Sequence, residues 1–185
     1  ERIVMLEDAQ RLLCSGGYEA IGMDHYALAD DSLAAAARSG RLHRNFQGYT
    51  TGGELELLGV GPTAISQFPH LFAQNERDLK AYSTALAEGH LPVERGLVVR
   101  DPEVLERREL IRQVMCTFSL ELELERYALE WQQLQDLADD GLVHLREHSG
   151  HGQVTVTTEG RWLIRTIAAV LDPAQRQRAS GSRLV

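Results

Sequence analysis

The run Leu55–Val60 is short and apolar, with a glycine pair before it and Gly61 directly after it. Runs of this length between turn residues predict a buried strand. The polar stretch 43–51, HRNFQGYTT, precedes the run, so polar groups are expected at one end of the strand. Ligands of α/β proteins bind at strand ends, where helices and loops leave crevices. Residues 43–66 therefore form either a ligand site or a core strand between two ordinary turns.

The segment 59–64, GVGPTA, has the spacing of a dinucleotide-binding fingerprint and follows the predicted strand. That fingerprint also needs a helix whose N-terminus holds the pyrophosphate. Pro69 ends the available window within a few residues, and the acidic candidates downstream, Glu76 and Asp78, lie at a predicted helix start. We therefore do not predict a nicotinamide site.

Charge and cysteine content exclude several classes of function. The chain has 185 residues and a net charge of −8, which disfavours nucleic acid and anionic membrane surfaces as partners. No apolar run approaches the about 20 residues of a membrane helix, so we expect a soluble, cytoplasmic protein. The two cysteines, Cys14 and Cys116, are far apart and allow neither a disulfide framework nor a Cys-x-x-Cys metal site. An iron–sulfur cluster needs more thiolates than this chain has, so we expect it to supply no metal ligands.

Periodicity and turn residues predict helices alternating with strands. Asp30 or Asp31 is expected to cap the second helix, and Asn75 the third. The Asp101-Pro102 pair is a strong helix start. The predicted helices cover residues 1–14, 33–38, 75–88, 126–138 and 158–171 and the segment that begins at 101, and the predicted strands cover residues 18–23, 55–60, 141–145 and 153–157.

Five segments of the chain resemble oxygen-independent coproporphyrinogen III oxidases, which are radical S-adenosylmethionine enzymes of haem synthesis. The resemblance covers nearly the whole chain, and HRNFQGYTT is its most specific part. Related haem chaperones share the later glycine-alanine-serine pattern but differ before it, so the oxidase type is favoured. The segments are Gly22–Ala27, Leu42–Thr51, Gly59–Ser66, Ala73–Asn75 and Val156–Arg161.

The order of the predicted elements indicates an α/β fold with two parts. Helix 1–14 followed by strand 18–23 fits a βα-repeat array. After residue 101 the order helix, helix, strand, turn at 149–152, strand, helix is typical of a winged helix. Residues 1–92 would be the last strands and helices of a partial (β/α) barrel, and residues 93–100 a connector. Residues 101–172 would be a mainly helical, winged-helix-like domain, and residues 173–185 a tail. Winged helices often bind DNA, but the candidate recognition helix, 126–140, has four acidic residues and one arginine. Phosphates would repel it, so this domain is expected to cover the catalytic domain and not to bind nucleic acid.

The resemblance also implies the reaction. The intact enzyme would cleave S-adenosylmethionine reductively at a [4Fe-4S] cluster, and the 5′-deoxyadenosyl radical would remove a hydrogen atom from a propionate. Loss of carbon dioxide and an electron leaves a vinyl group. Two such conversions turn coproporphyrinogen III into protoporphyrinogen IX, with an electron donor as partner. The family's Cys-x-x-x-Cys-x-x-Cys motif is absent from this chain. We therefore expect a C-terminal part of a longer enzyme, inactive alone and self-associating in isolation, whereas the intact enzyme is expected to be a monomer.

Seven residues are the candidate site residues. The resemblance implies that Ile65 touches S-adenosylmethionine and that Gln47 is a polar residue near it. Arg44 and Arg41 are candidates to bind propionates, because guanidinium groups match carboxylates through paired hydrogen bonds. The alternative is that both arginines are solvated loop residues.

Asp24, His25 and His43 are further candidates for substrate binding, because they lie in the matched segments. A histidine at a strand end can equally be a hydrogen-bonded structural residue. Two other functions stay open. One is a haem-binding or haem-transfer protein of the same family, with His25 or His43 as axial ligand. The other is a non-catalytic interaction module.

Overall fold

The computed structural model describes residues 2–53 and 56–173. The chain divides into two compact units that interleave along the sequence. Unit 1 comprises residues 1–44, 49–51 and 107–185, and unit 2 comprises residues 45–48 and 52–106. Each unit is described below by itself.

The described residues form both helices and strands, interspersed along the chain, which confirms the predicted mixed α/β class. The helices are α1 (Arg2–Ser15), α2 (Ser32–Arg38), α3 (Leu79–Ala87), α4 (Pro102–Thr117), α5 (Ala128–Asp139), α6 (Thr158–Trp162) and α7 (Ile164–Val170). The strands are β1 (Tyr18–Gly22), β2 (His25–Leu28), β3 (His43–Asn45), β4 (Gly48–Thr50), β5 (Ile65–Gln67), β6 (Leu71–Asn75), β7 (Val93–Val98), β8 (Ser119–Glu123), β9 (Val143–His148) and β10 (His151–Val156).

The first core of unit 1 lies beside the antiparallel β1–β2 hairpin. Asp31, one of the two predicted caps, accepts a hydrogen bond from the backbone N–H of Leu33 at 2.6 Å and so begins α2. The alanines of α2 are small enough to pack closely on the strands. The buried members of this core are Ile21, Ala27, Ala34, Ala36, Leu42, Tyr49 and Cys116.

The second core of unit 1 lies under the antiparallel sheet β8–β10–β9. The predicted hairpin at residues 141–157 is present as β9 and β10, whereas β8 was not predicted. The single predicted helix 158–171 is two helices, α6 and α7, because Leu163 ends the first with a tight bond from its N–H to the carbonyl of Gly160. The fully buried side chains include Leu120, Leu122, Leu134, Val143, Val154, Ile164, Ile167 and Leu171.

Unit 2 contains the antiparallel sheet β5–β6–β7 and helix α3. The prediction that Asn75 caps α3 was wrong, because Asp78 is the cap and accepts from the N–H of Ala81 at 2.8 Å. Asn75 instead ends β6, and its buried side chain binds the glycine loop described below.

The predicted buried strand Leu55–Val60 was also wrong. Leu55 lies outside the described residues, and of the others only Leu57 pairs, through a single bridge to Gln67. Leu58 is 73% exposed and Val60 is 83% exposed. The described residues contain no closed barrel, and β1 pairs antiparallel to β2 instead of joining a parallel array.

The predicted domain boundary at residues 93–100 stays a prediction. β7 occupies most of that segment and pairs with β6. Of the predicted tail, 173–185, only residue 173 lies within the described residues. Among the described helices, none is both long and apolar enough to cross a membrane.

Candidate functional site

The predicted residues Asp24, His25 and Arg44 come together in unit 1 around the ring of Tyr49. Asp24 lies in the turn between β1 and β2, and its Oδ1 is 2.9 Å from Nδ1 of His25. The His25 ring meets the Tyr49 ring edge-on, with centroids 5.1 Å apart. The Arg44 guanidinium carbon lies 4.8 Å from the centroid of the same ring. We call these four residues and Cys116 the Arg44 cluster.

Tyr49 is fixed at the centre of the Arg44 cluster. Its hydroxyl donates to the carbonyl of Met115 at 2.8 Å, which ties β4 to the end of α4. Burial raises the pKa of Tyr49, and the neighbouring Arg44 charge partly opposes this. A neutral phenol held this way orients the charged groups around it and does not itself ionise at neutral pH.

Gly22 allows Tyr49 to reach that position. A Cβ on Gly22 would lie 2.5 Å from the Tyr49 hydroxyl oxygen and 2.8 Å from the adjacent ring carbon. The glycine of the GMDHYA segment is therefore explained by close approach of a side chain.

Arg44 has an unused hydrogen-bonding group. Its Nη1 is buried and has no hydrogen-bond partner among the described residues. A buried guanidinium nitrogen without a partner is costly, because desolvation of a charged donor is not compensated. An anion arriving at Nη1 would remove that cost, and a carboxylate matches a guanidinium best.

Cys116 lies at the buried side of the cluster, with 3% of its surface exposed. Burial raises the pKa of its thiol, and Arg112 and Arg44 partly oppose this. The pKa of the Asp24 carboxyl is instead lowered. A backbone hydrogen bond is the main cause that lowers the pKa of its carboxyl, and His25 and Arg44 add to it. The cluster thus holds a neutral thiol and an ionised carboxylate beside one arginine.

The other two predicted residues of this unit lie outside the cluster. The half-buried His43 is near α4, where it helps to lower the pKa of Glu109, although the hydrogen bond from Arg112 is the main cause. Arg41 is exposed, and its Nε donates to the hydroxyl of Ser39 at 3.1 Å. Only Arg44 of the two predicted arginines has a buried, unpaired nitrogen.

In unit 2, side chains fasten the glycine segment 59–63 onto β5 and β6. The N–H of Gly59 donates to Ser66 Oγ at 3.0 Å. Asn75 Nδ2 donates to the carbonyls of Gly59 at 3.1 Å and Gly61 at 3.0 Å. The hydroxyl of Tyr82 accepts from the N–H of Gly61 at 3.1 Å. These hydrogen bonds pair the N–H and carbonyl groups of Gly59 and Gly61, which a neighbouring strand would otherwise pair. This explains why no strand forms here.

Ile65 begins β5 directly under this loop. A Cβ on Gly59 would lie 2.8–2.9 Å from the backbone of Ile65, so only glycine fits. A strand, not a helix, follows the glycines, so the dinucleotide fingerprint has no helix N-terminus behind it. Gln47 is exposed in the turn between β3 and β4, where its N–H donates to Asn45 Oδ1 at 2.8 Å.

Tyr49 and Cys116 were missed as site residues. Tyr49 lies inside the HRNFQGYTT segment, so its position gave a usable signal. Cys116 and Arg112 lie far away in sequence and gave none. The described residues contain no group of three or more His, Cys, Asp or Glu side chains that could hold a metal ion.

Comparison with known proteins confirms the resemblance seen in the sequence. Curated homologues at 36–41% identity over most of this chain are oxygen-independent coproporphyrinogen III oxidases. The relative from Pseudomonas aeruginosa is 39% identical over 182 residues, which cover 93% of this chain and 38% of the relative. The relative from Synechocystis is 41% identical over 186 residues, which cover 93% of this chain and 39% of the relative. No family model matches the sequence.

A solved structure is similar as well. It is coproporphyrinogen III oxidase from Escherichia coli, described as a radical SAM enzyme, at 38% identity and a TM-score of 0.82. The match covers 91% of this chain and 40% of that one. This chain thus spans about two fifths of the length of the relatives named here.

Proposed function

We propose that this chain is one part of an oxygen-independent coproporphyrinogen III oxidase, which oxidatively decarboxylates two propionates of coproporphyrinogen III in haem synthesis. The observation that carries the proposal is the match to these oxidases in both sequence and structure over more than nine tenths of the chain. In this proposal residues 1–92 are the last strands and helices of a partial (β/α) barrel, and residues 93–100 are the connector. Residues 101–172 are the winged-helix-like domain, which the order α4-β8-α5-β9-β10-α6 supports.

The Arg44 cluster is the proposed binding site for a substrate carboxylate. The buried, unpaired Nη1 of Arg44 supports this role. Tyr49 holds the guanidinium through its ring, and Asp24 orients the ring of His25 through Nδ1. That arrangement leaves Nε2 of His25 for a second contact with a ligand. We propose that His43 contacts the substrate from the side of α4. The exposed Arg41 is proposed to contribute less to substrate binding than Arg44 does.

Ile65 and Gln47 are proposed to contact S-adenosylmethionine. Their chemistry fits, because a half-buried isoleucine offers an apolar contact and an exposed amide offers both a donor and an acceptor. When bound, this cofactor would supply the abstraction of a hydrogen atom from a propionate. The protein's own contribution is to position each ligand, with Ile65 and Gln47 contacting the cofactor and the Arg44 cluster binding the substrate carboxylate.

The residues present do not fit a [4Fe-4S] cluster. Cys14 is exposed and Cys116 is buried in the Arg44 cluster, and the sequence has no other thiol. We therefore assign the cluster ligands to the rest of the enzyme, and this chain alone is proposed to be inactive.

We also propose an electron donor as partner, a cytoplasmic location, a monomeric intact enzyme and no nucleic-acid or membrane binding. The net charge of −8 supports the last of these.

A chimera tests the cofactor contacts. In it, these 185 residues replace the matching segment of the Escherichia coli oxidase. We expect Ile65→Asp to lower S-adenosylmethionine cleavage about tenfold or more, because it presents an unpaired charge to an apolar contact. Gln47→Ala is expected to lower turnover and leave the fold intact. The measurement is 5′-deoxyadenosine formation under anaerobic conditions.

The matched control is Leu58→Asp, which introduces the same charge at an exposed leucine of the same unit. It should turn over at the wild-type rate. Thermal unfolding of each variant separates loss of a contact from loss of the fold. If correctly folded Ile65→Asp and Gln47→Ala chimeras are both as active as Leu58→Asp, the assignment of this cofactor site is wrong.

A further inference from the structure

The hairpin formed by β9 and β10 in unit 1 brings two histidines face to face. His148 is the last residue of β9 and His151 is the first of β10, and they are direct partners in the antiparallel register. Directly opposed residues of antiparallel strands have Cβ atoms about 4.5–5.5 Å apart on the same face of the sheet. Both residues are exposed, so their rings are accessible from solvent.

A tight two-residue turn fixes this pair. Ser149 has φ of 50° and Gly150 has φ of 82°. Positive φ at both central residues is typical of the type I′ turn, which matches the twist of the strands. The register continues for six residue pairs from His148/His151 to Val143/Val156. The separation of the two Cβ atoms is therefore set by the backbone and does not depend on a flexible loop.

Both rings converge on Ser149. Nδ1 of His151 lies 3.3 Å from the carbonyl oxygen of Ser149. Because a carbonyl only accepts, a hydrogen bond here places the proton on Nδ1 and leaves the lone pair on Nε2. Nε2 of His148 lies 3.2 Å from the hydroxyl oxygen of Ser149. In the tautomer in which Nε2 donates to this oxygen, the lone pair of the ring is on Nδ1. Metal-binding histidines are oriented in this way, with one ring nitrogen bonded to a protein oxygen and the other free for the ion.

We propose that His148 and His151 bind one divalent transition-metal ion between them. Imidazole nitrogens suit Zn²⁺, Ni²⁺ and Cu²⁺, with Cu²⁺ bound most tightly among them, and do not suit Mg²⁺ or Ca²⁺. Glu123 of β8 is the register partner of His151 on its other side, so a carboxylate flanks the pair. The described residues offer no cluster of three such ligands, so water completes the coordination. This site is independent of the proposed oxidase activity.

The test is isothermal titration of the tag-free 185-residue chain with Cu²⁺ and with Zn²⁺ at one fixed pH, about 7.5, because metal affinity depends on pH. We expect one ion per chain. His148→Gln and His151→Gln should each raise the Kd about tenfold or more, because each removes one of two protein ligands. The matched control is His144→Gln on the same strand, whose partner across the sheet is Thr155 and not a histidine. It should bind as the wild type does.

Electron paramagnetic resonance of the Cu²⁺ complex gives a second readout that does not depend on affinity. The wild-type chain should show coupling to two imidazole nitrogens, and each single variant to one. Mg²⁺ should give no heat of binding. The proposal is overturned if His148→Gln and His151→Gln both keep the wild-type Kd and spectrum, or if His144→Gln weakens binding as much as they do.

Discussion

Gly160→Ala is expected to lower the free energy of unfolding of unit 1 by about 3 kcal/mol or more, the upper range for overpacking a core. A Cβ on Gly160 would lie 2.0 Å from the carbonyl oxygen of Leu142 and 3.0 Å from Cγ1 of Val156. Moving the Leu142 carbonyl away would break hydrogen bonds, because this carbonyl accepts from the backbone N–H of Thr157 at 3.0 Å and from the Thr157 hydroxyl at 3.1 Å. Relief of the clash would break the start of α6.

Urea unfolding followed by tryptophan fluorescence measures this effect, since Trp131 and Trp162 both lie in unit 1. The matched control is Gly16→Ala in the same unit, at an exposed position after α1 where a Cβ would meet its nearest atom, the carbonyl oxygen of Leu13, at 3.3 Å. That control should change stability by no more than about 0.5 kcal/mol. Equal losses for the two variants would show that the contact between α6 and Leu142 is not as tight as described.

Arg44→Gln is expected to raise the KM of the chimera for coproporphyrinogen III about tenfold or more. A hydrogen bond to a charged group contributes about 1.5–3 kcal/mol, which corresponds to that change in affinity. Because the interaction would be made equally in the bound substrate and in the transition state, kcat should change much less than KM. Steady-state kinetics under anaerobic conditions measures both.

Arg41→Gln is the control for Arg44→Gln, because it removes the same charge from an exposed residue whose Nε donates to the hydroxyl of Ser39, two positions away. It should leave KM within about twofold, since an exposed charge contributes little. Arg44→Lys keeps the charge but loses the paired geometry, so it should recover part of the affinity. A larger KM effect for Arg41→Gln than for Arg44→Gln would refute the assignment of the carboxylate site.

Sequence patterns correctly predicted the helices and strands whose formation depends on residues close together in the sequence. The cap at Asp30 or Asp31 and the strands at residues 141–145 and 153–157 each depend on residues within a few positions. The structure has Asp31 as the cap, and β9 and β10 overlap the two predicted strands. Leu55–Val60 failed for the opposite reason. Its one glycine, Gly59, allows the backbone to lie on Ile65, and the side chains of Ser66 and Asn75, 7 and 16 positions further along the chain, replace strand partners.

Three of the five residues of the Arg44 cluster were predicted, but their arrangement was not. The sequence motifs included Asp24, His25 and Arg44, yet nothing local indicated which arginine is buried. That distinction depends on Tyr49, which bonds to the carbonyl of Met115 from far along the chain. Tertiary contacts of this kind determine which residues of a polar motif lie close together. Hydrophobic periodicity and residue spacing do not predict such contacts.

If these residues work as part of a coproporphyrinogen III oxidase, the chimera should form the product of that enzyme. The purified chimera, with its cluster reconstituted, is incubated anaerobically with coproporphyrinogen III, S-adenosylmethionine and a reductant, and the porphyrins are oxidised and separated by chromatography. We expect protoporphyrin as the product, with two molecules of carbon dioxide released for each substrate converted. A folded, cluster-loaded chimera that leaves coproporphyrinogen III unchanged, while the Escherichia coli enzyme converts it in parallel, would refute the proposed function.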